Sequence, residues 1–217
     1  MARERVTIAS VRGPRLLLVI AIAVTAMAIA IMILAAPYEY RAHALVRWTA
    51  RTSLVLFVLA YVARPLVQLR PKWRAGKWLL AERKWLGLGF AYSHLVHFIG
   101  IVMVAAPDVG GFVRQQDPTI IIAALTFVLL FAMAITSIES VKRKMPARAW
   151  KWLHRTGMHF AWIAFTATYA GLITVHPMFA LPTVILLAIA GVRIGALVRG
   201  MRRRKTISPS RSRVRLA

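Results

Sequence analysis

Apolar and polar positions alternate along this chain in long blocks rather than with a short period. Leu16 to Ala36 carries no charge, and at 1.5 Å rise per residue it spans the roughly 30 Å of a hydrocarbon layer. Five further apolar runs follow, at about 44–65, 85–106, 118–138, 150–174 and 178–198. Polar or Pro-bearing stretches separate them. Pro65 and Pro107 mark the ends of the second and third runs, and His176-Pro177 breaks the fifth from the sixth. The stretch 64–84, with Pro71, Gly76 and seven basic residues, is predicted to be a polar loop, and 107–117 a Gly-rich connector. The pattern predicts an all-α membrane protein, a six-transmembrane-helix bundle. A basic N-terminus (1–15) precedes the spanning domain (16–198), and a basic, disordered tail (199–217) follows it. The first run is too long for the usual h-region of a signal peptide, although Ala-Ala-Pro after it faintly resembles a cleavage site.

Composition agrees. Of 217 residues, 59% are hydrophobic, and mean hydropathy is +0.65. The formal net charge of +24 would fit nucleic-acid binding in a soluble chain, but here it has a topological cause. With six crossings, 26 of the 30 Lys and Arg residues fall on the side holding both termini, and only Arg41, Arg47, Arg51 and Arg114 on the other. By the positive-inside rule both termini are cytoplasmic, in a multi-pass protein of a bacterial-type inner membrane. The same basicity favours anionic membrane lipid as a partner and removes the need for nucleic acid. The chain has no cysteine, which excludes disulfides, iron–sulfur clusters and thiolate-bound metals.

The chemistry lies in the imidazoles. His43 and His176 fall at the outer interface and need no ligand. His94 and His97 lie in the third run, His154 and His159 in the fifth. Ionisable residues in hydrocarbon point to function. Counting from Trp85 and Trp152 as interface markers, His94 lies about 13 Å deep, His97 about 18 Å, His154 about 3 Å and His159 about 10 Å. His94 and His159 therefore match best in depth. Imidazoles at similar depth on two facing helices can ligate one haem b through both axial positions. The other account is that these rings hydrogen-bond across the bundle. Arg47 and Arg51, four apart, could clamp haem propionates or snorkel to headgroups. Gly87 and Gly89 could admit a flat macrocycle or serve helix packing.

Arg-Lys-x-Leu-Gly-Leu-x-Phe-x-Tyr-x-x-x-x-His at 83–97 resembles the third span of the ferric-reductase-like transmembrane domain. Thr136-Ser137, with Trp152-Leu153-His154-Arg155 and the aromatic run to Tyr169, resembles its fourth-to-fifth span region. The resemblance covers about residues 45–195 and includes a bacterial branch of haem-binding subunits serving periplasmic methionine sulfoxide reduction. It implies a b-type cytochrome that carries electrons across the membrane, with His97 and His154 as the motif-matched ligands. One departure stands out: that branch carries a further fifth-span His where this chain has Ala167.

No stretch of the chain could form a flavin or nicotinamide domain. Electrons are expected from quinone or a cytosolic flavin reductase, with a quinone or flavin site unidentified, and are expected to leave to a periplasmic reductase or another acceptor. The expectation is an electron-transfer subunit of an oxidoreductase, without a flavin or nicotinamide domain of its own. The competing class is a non-redox transporter or assembly factor that uses the imidazoles for proton relay or metal binding. The runs show no inverted repeat or midplane break in its favour.

Overall fold

In the computed structural model, residues 11–35, 37–115 and 119–207 are described, and among them every regular element is helical. The helices are α1 (Pro14–Leu34), α2 (Tyr38–Leu69), α3 (Arg74–Ala81), α4 (Arg83–Ala105), α5 (Val109–Arg114), α6 (Thr119–Ile135), α7 (Glu139–Lys142), α8 (Ala147–Leu172) and α9 (Ala180–Ile207). Four segments are long and apolar enough to cross a membrane: Pro14–Leu34, Tyr40–Leu69, Arg83–Ala105 and Pro177–Arg202. Ile120–Ile135 is apolar but shorter. The chain is a multi-pass membrane protein.

Each apolar run coincides with a helix, but the boundaries differ from those the sequence predicts. Pro65 does not end the second run. α2 continues through it to Leu69, and Arg70 closes the helix with a 2.8 Å bond to the Leu66 carbonyl. A proline removes the bond to the Tyr61 carbonyl, and next to that gap Arg83 Nε donates to the Ala60 carbonyl at 3.0 Å. The stretch 64–84 is not simply a loop, because it holds α3, whose Gly76 and Leu79 are buried while its cations face out. The connector after the third run holds α5, capped by Asp108, whose Oδ1 accepts from Gly111 N at 2.8 Å. The fourth run shortens to the 17 residues of α6. α9 extends to Ile207, past the boundary expected at 198. Residues 208–217 of the expected tail and 1–10 of the N-terminus lie outside the described residues.

Side-chain contacts fix the directions. Residues 83, 93, 97 and 100 of α4 meet 60, 53, 46 and 45 of α2, so the two run antiparallel along most of their length. α6 and α8 are antiparallel through Met133 at Gly157 and Thr136 at His154. α8 and α9 are antiparallel as well, with Trp162 Nε1 donating to the Leu186 carbonyl at 2.9 Å. α1 runs parallel to α4. Gly13, whose φ of 63° suits only glycine comfortably, donates to the buried Glu82 carboxylate at 2.7 Å, and Thr25 Oγ1 meets Tyr92 Oη at 2.7 Å. α2 and α9 are parallel, and Arg199 bonds the Leu69 carbonyl at 2.9 Å. Gly13, Arg70, Arg83, Lys142, Trp150 and Arg199 therefore gather at one end, the basic end.

Lipid tails are as apolar as leucine, so packing rather than water exclusion holds such helices together. Phe57 of α2, Phe90 of α4 and Phe165 of α8 meet with ring centroids 5.3–5.9 Å apart and lock the centre. Small residues set the close approaches. A Cβ on Gly89 would sit 2.9 Å from Ile20 of α1, and one on Gly157 would sit 2.7 Å from Met133 Sδ. Gly89 is thus a packing glycine, whereas a Cβ on Gly87 would meet nothing within 4 Å. Gly89→Leu should destabilise the bundle by about 1–3 kcal/mol, since Ile20 is branched and cannot yield cheaply. Gly87→Ala should be neutral or slightly stabilising. Thermal unfolding of the two variants in the same detergent checks the contrast.

Candidate functional site

The α2–α4 interface is sewn by hydroxyls. Ser53 Oγ donates to Ser93 Oγ at 2.9 Å, and Ser93 Oγ reaches the Thr49 carbonyl at 3.4 Å. Thr49, Ser53 and Ser93 are all fully buried. One turn beyond Ser93, His97 Nδ1 lies 3.0 Å from the Val46 carbonyl and 3.1 Å from Thr49 Oγ1. A carbonyl only accepts, and the Thr49 proton is already given to the Leu45 carbonyl at 2.5 Å. Nδ1 of His97 therefore carries the proton, and Nε2 keeps its lone pair. A ring fixed in this way by a backbone carbonyl has the arrangement that orients ligating histidines.

His94 is the opposite case. It is buried, its Nδ1 has no hydrogen-bond partner, and its neighbours are rings. Phe127 of α6 lies 4.6 Å away by centroids, His97 5.1 Å, Phe90 5.3 Å and Phe165 of α8 5.8 Å. The Phe127 and His97 planes differ by 14°. An orphaned buried imidazole nitrogen costs free energy unless something bonds it. The result is a packed aromatic cluster among α4, α6 and α8 around one unsatisfied nitrogen for iron or a proton.

The α8 imidazoles lie elsewhere. His154 stacks on Trp150 at 4.1 Å, and its Nε2 lies 3.2 Å from Thr136 Oγ1, whose proton goes to the Ala132 carbonyl at 2.7 Å. Trp150 Nε1 donates to the Thr136 carbonyl at 3.0 Å, so both residues pin the end of α6. His159 Nδ1 lies 3.3 Å from Tyr61 Oη, and the Arg193 guanidinium covers the Tyr61 ring at 4.8 Å. Among the described residues no ring contact joins an α4 imidazole to an α8 imidazole.

α2 serves as a ruler. His159 is level with Tyr61, whereas Ser93, next to His94, is level with Ser53. Eight residues of helix separate the two levels, about 12 Å. The expected depth match of His94 with His159 is therefore not what the packing gives, and the α8 side chain facing His94 is Phe165. Trp152 misleads as a depth marker because it points outward, 67% exposed.

Arg47 and Arg51 diverge. Arg47 is exposed and lies over Tyr40 at 5.5 Å, the placement expected of a headgroup-level cation. Arg51 is half-buried over Trp48 at 4.9 Å. His43 is exposed, and His176 caps the turn before α9 by accepting from Met178 N at 3.1 Å. The sequence reading missed Thr49, Ser53 and Ser93, although hydroxyls four apart on α2 and Ser93 four before His97 were a visible signal. Phe127 and Phe165 carried no such signal, since nothing distinguishes them from core.

A second concavity opens at the basic end, a cavity of about 450 Å³ lined by Arg64, Arg83, Lys84, Lys142, Lys151, Arg155 and Arg193, with His154, Trp150 and Gly87.

Comparison with known proteins places these features in context. No solved structure matches the chain. The chain is 30% identical over 139 residues to the protein-methionine-sulfoxide reductase heme-binding subunit MsrQ of Ralstonia nicotianae, covering 59% of this chain and 60% of that one. It is 28% identical over 124 residues to the subunit of the same name from Herminiimonas arsenicoxydans, covering 56% and 53%. The chain thus spans little more than half the length of these curated relatives. Residues 47–168, which run from the hydroxyl seam of α2 to the aromatic face of α8, match the ferric reductase like transmembrane component family, and the chain belongs to that family.

Proposed function

We propose that this protein is a haem-carrying membrane subunit that passes electrons between a reductant and a partner reductase. The observation that carries the proposal is the buried His94 Nδ1 with no partner, set among aromatic rings. Among the described residues no cluster of three or more His, Asp or Glu is placed to hold a bare metal ion, so the donor set suits a macrocycle that brings its own four nitrogens. Haem, when bound, supplies a one-electron couple. His94 offers the iron donor, and His97, held by the Val46 carbonyl, offers a second nitrogen on the same wall. Phe90, Phe127 and Phe165 exclude water and lower the local dielectric. Arg51, half-buried over Trp48, is the better candidate for holding a haem carboxylate, and Arg47, exposed over Tyr40, is the weaker one.

His154 and His159 sit nearer the basic end. For either to share one iron with His94, α8 would have to slide along α2, so they are ligand candidates only for a group bound lower in the bundle. The relatives' names point to a methionine sulfoxide reductase as partner, and quinone or a flavin reductase remains the proposed donor. Six crossings with both ends cytoplasmic are part of this proposal. Successive long helices alternate in direction, and the basic loops collect at one end, in the distribution the positive-inside rule requires. The inner membrane follows as the location.

Purified protein should give the reduced-minus-oxidised difference spectrum of a b-type haem. His94→Ala should lower the haem-to-protein ratio by about tenfold or more, while His159→Ala should leave the ratio near that of the parent. A colourless preparation after expression with ample haem would rule the proposal out in favour of a non-redox membrane protein.

The arginines separate in a second measurement. Arg51→Gln should speed loss of haem to an excess of a haem-scavenging globin by several-fold, and Arg47→Gln should not. Stopped-flow transfer monitored in the Soret band reads both.

A further inference from the structure

The cavity at the basic end differs in kind from the packed aromatic cluster around His94. Seven cations from five elements converge on it: Arg64 of α2, Arg83 and Lys84 of α4, Lys142 of α7, Lys151 and Arg155 of α8, and Arg193 of α9. Among the described residues only Lys142 has a carboxylate partner, Glu139 at 3.4 Å, and both side chains of that pair are largely exposed. The other six are held by carbonyls or rings or face the cavity. Arg83 donates to the Ala60 carbonyl, Lys84 lies over Trp85 at 5.1 Å, and Arg193 lies over Tyr61 at 4.8 Å. Like charges crowded at the border of a low-dielectric region repel, and a counter-anion relieves that strain. Gly87 leaves the floor open, because a Cβ there would meet no atom.

The rim adds a second observation. Residues next in sequence to lining residues turn apolar surface outward: Trp152 beside Lys151 is 67% exposed, Ile194 beside Arg193 is 62%, and Ile138 beside Ser137 is 54%. A soluble anion would use the cations and leave these side chains idle. A molecule with an anionic head and hydrocarbon tails would use both. Basic pockets between membrane helices are sites where doubly charged lipid headgroups lodge.

We infer that this cavity is a specific site for the phosphodiester headgroup of an anionic phospholipid, with a lipid bearing two phosphates preferred. The inference needs only that the chain lies in a membrane, and it stands whether or not haem binds at the upper aromatic cluster. Arg155 and Lys151, both exposed and four apart in the first turns of α8, grip the headgroup from one side. Arg193 and Arg64 face them across the cavity. Trp150, stacked on His154, forms the wall between headgroup and bundle.

Native mass spectrometry of the full chain tests this, with diphosphatidylglycerol, phosphatidylglycerol and phosphatidylcholine offered at equal concentration. Diphosphatidylglycerol should remain bound in at least about tenfold excess over phosphatidylcholine. The double variant Lys151→Gln, Arg155→Gln should lose about tenfold of that preference, as expected for two cations removed from a lipid contact. Arg114→Gln, an exposed cation at the opposite end, should keep it. Matching melting curves for the three proteins show that the fold is intact. Inorganic pyrophosphate in molar excess should not displace the lipid. Equal retention of the three lipids, an unchanged preference in the double variant, or displacement by pyrophosphate would each overturn the inference, the last by showing that the cavity serves a soluble phosphate.

Discussion

The antiparallel contact of α2 with α4 positions everything else. In hydrocarbon no water can complete a buried polar group, so each such group must find a partner within the protein. α2 and α4 meet this demand with hydroxyls: Thr49, Ser53 and Ser93 bond one another or nearby carbonyls, and His97 bonds the Val46 carbonyl. These bonds set register as well as affinity, because a slip of one residue on either helix would strand several at once. Once the register is set, His94 necessarily turns toward α6 and α8, away from every hydroxyl that satisfies its neighbours. The same seam that completes His97 leaves His94 incomplete.

Two environments result, stacked along one bundle. The upper region is buried, aromatic and nearly free of charge, with two imidazoles among its rings. The lower cavity is wide and cationic, and it opens toward the basic end. The aromatic trio of Phe57, Phe90 and Phe165 lies between them and keeps them separate. Tyr61 links the two, since it packs on Phe57, meets His159 and lies beneath Arg193. An electron carrier needs a low-dielectric centre and a polar end at which partners meet, and this arrangement provides both.

How much of this could be read from the sequence depends on the physical scale of each signal. Apolar runs are legible because hydropathy summed over twenty residues is a large signal, and every run became a helix. Pro65 was read as a terminator because local rules expect one there, yet the long packing of α2 on α4 outweighs one missing hydrogen bond. α3 was hidden because eight residues hold too few apolar positions to show a period. The residue types of the site were visible in His94, His97, His154 and His159. Their geometry was not. A Trp fixes depth only to within a turn or two, and Trp152 faces outward while Trp85 packs inward beside Gly13. Depth along α8 is set by Tyr61 and Phe57, contacts between residues a hundred positions apart that no local pattern encodes. The packing role of Gly89 likewise depends on Ile20, on a different helix.

The length of α2 has a consequence for the whole molecule. Its 32 residues make a rod about 48 Å long, well beyond the roughly 30 Å of a hydrocarbon layer. Pro65 does not break the rod, so the surplus must be taken up by leaning or by standing proud of the lipid. Residues of the upper aromatic cluster and of the lower cavity are both braced against this one helix, so any lean of α2 shifts the two together.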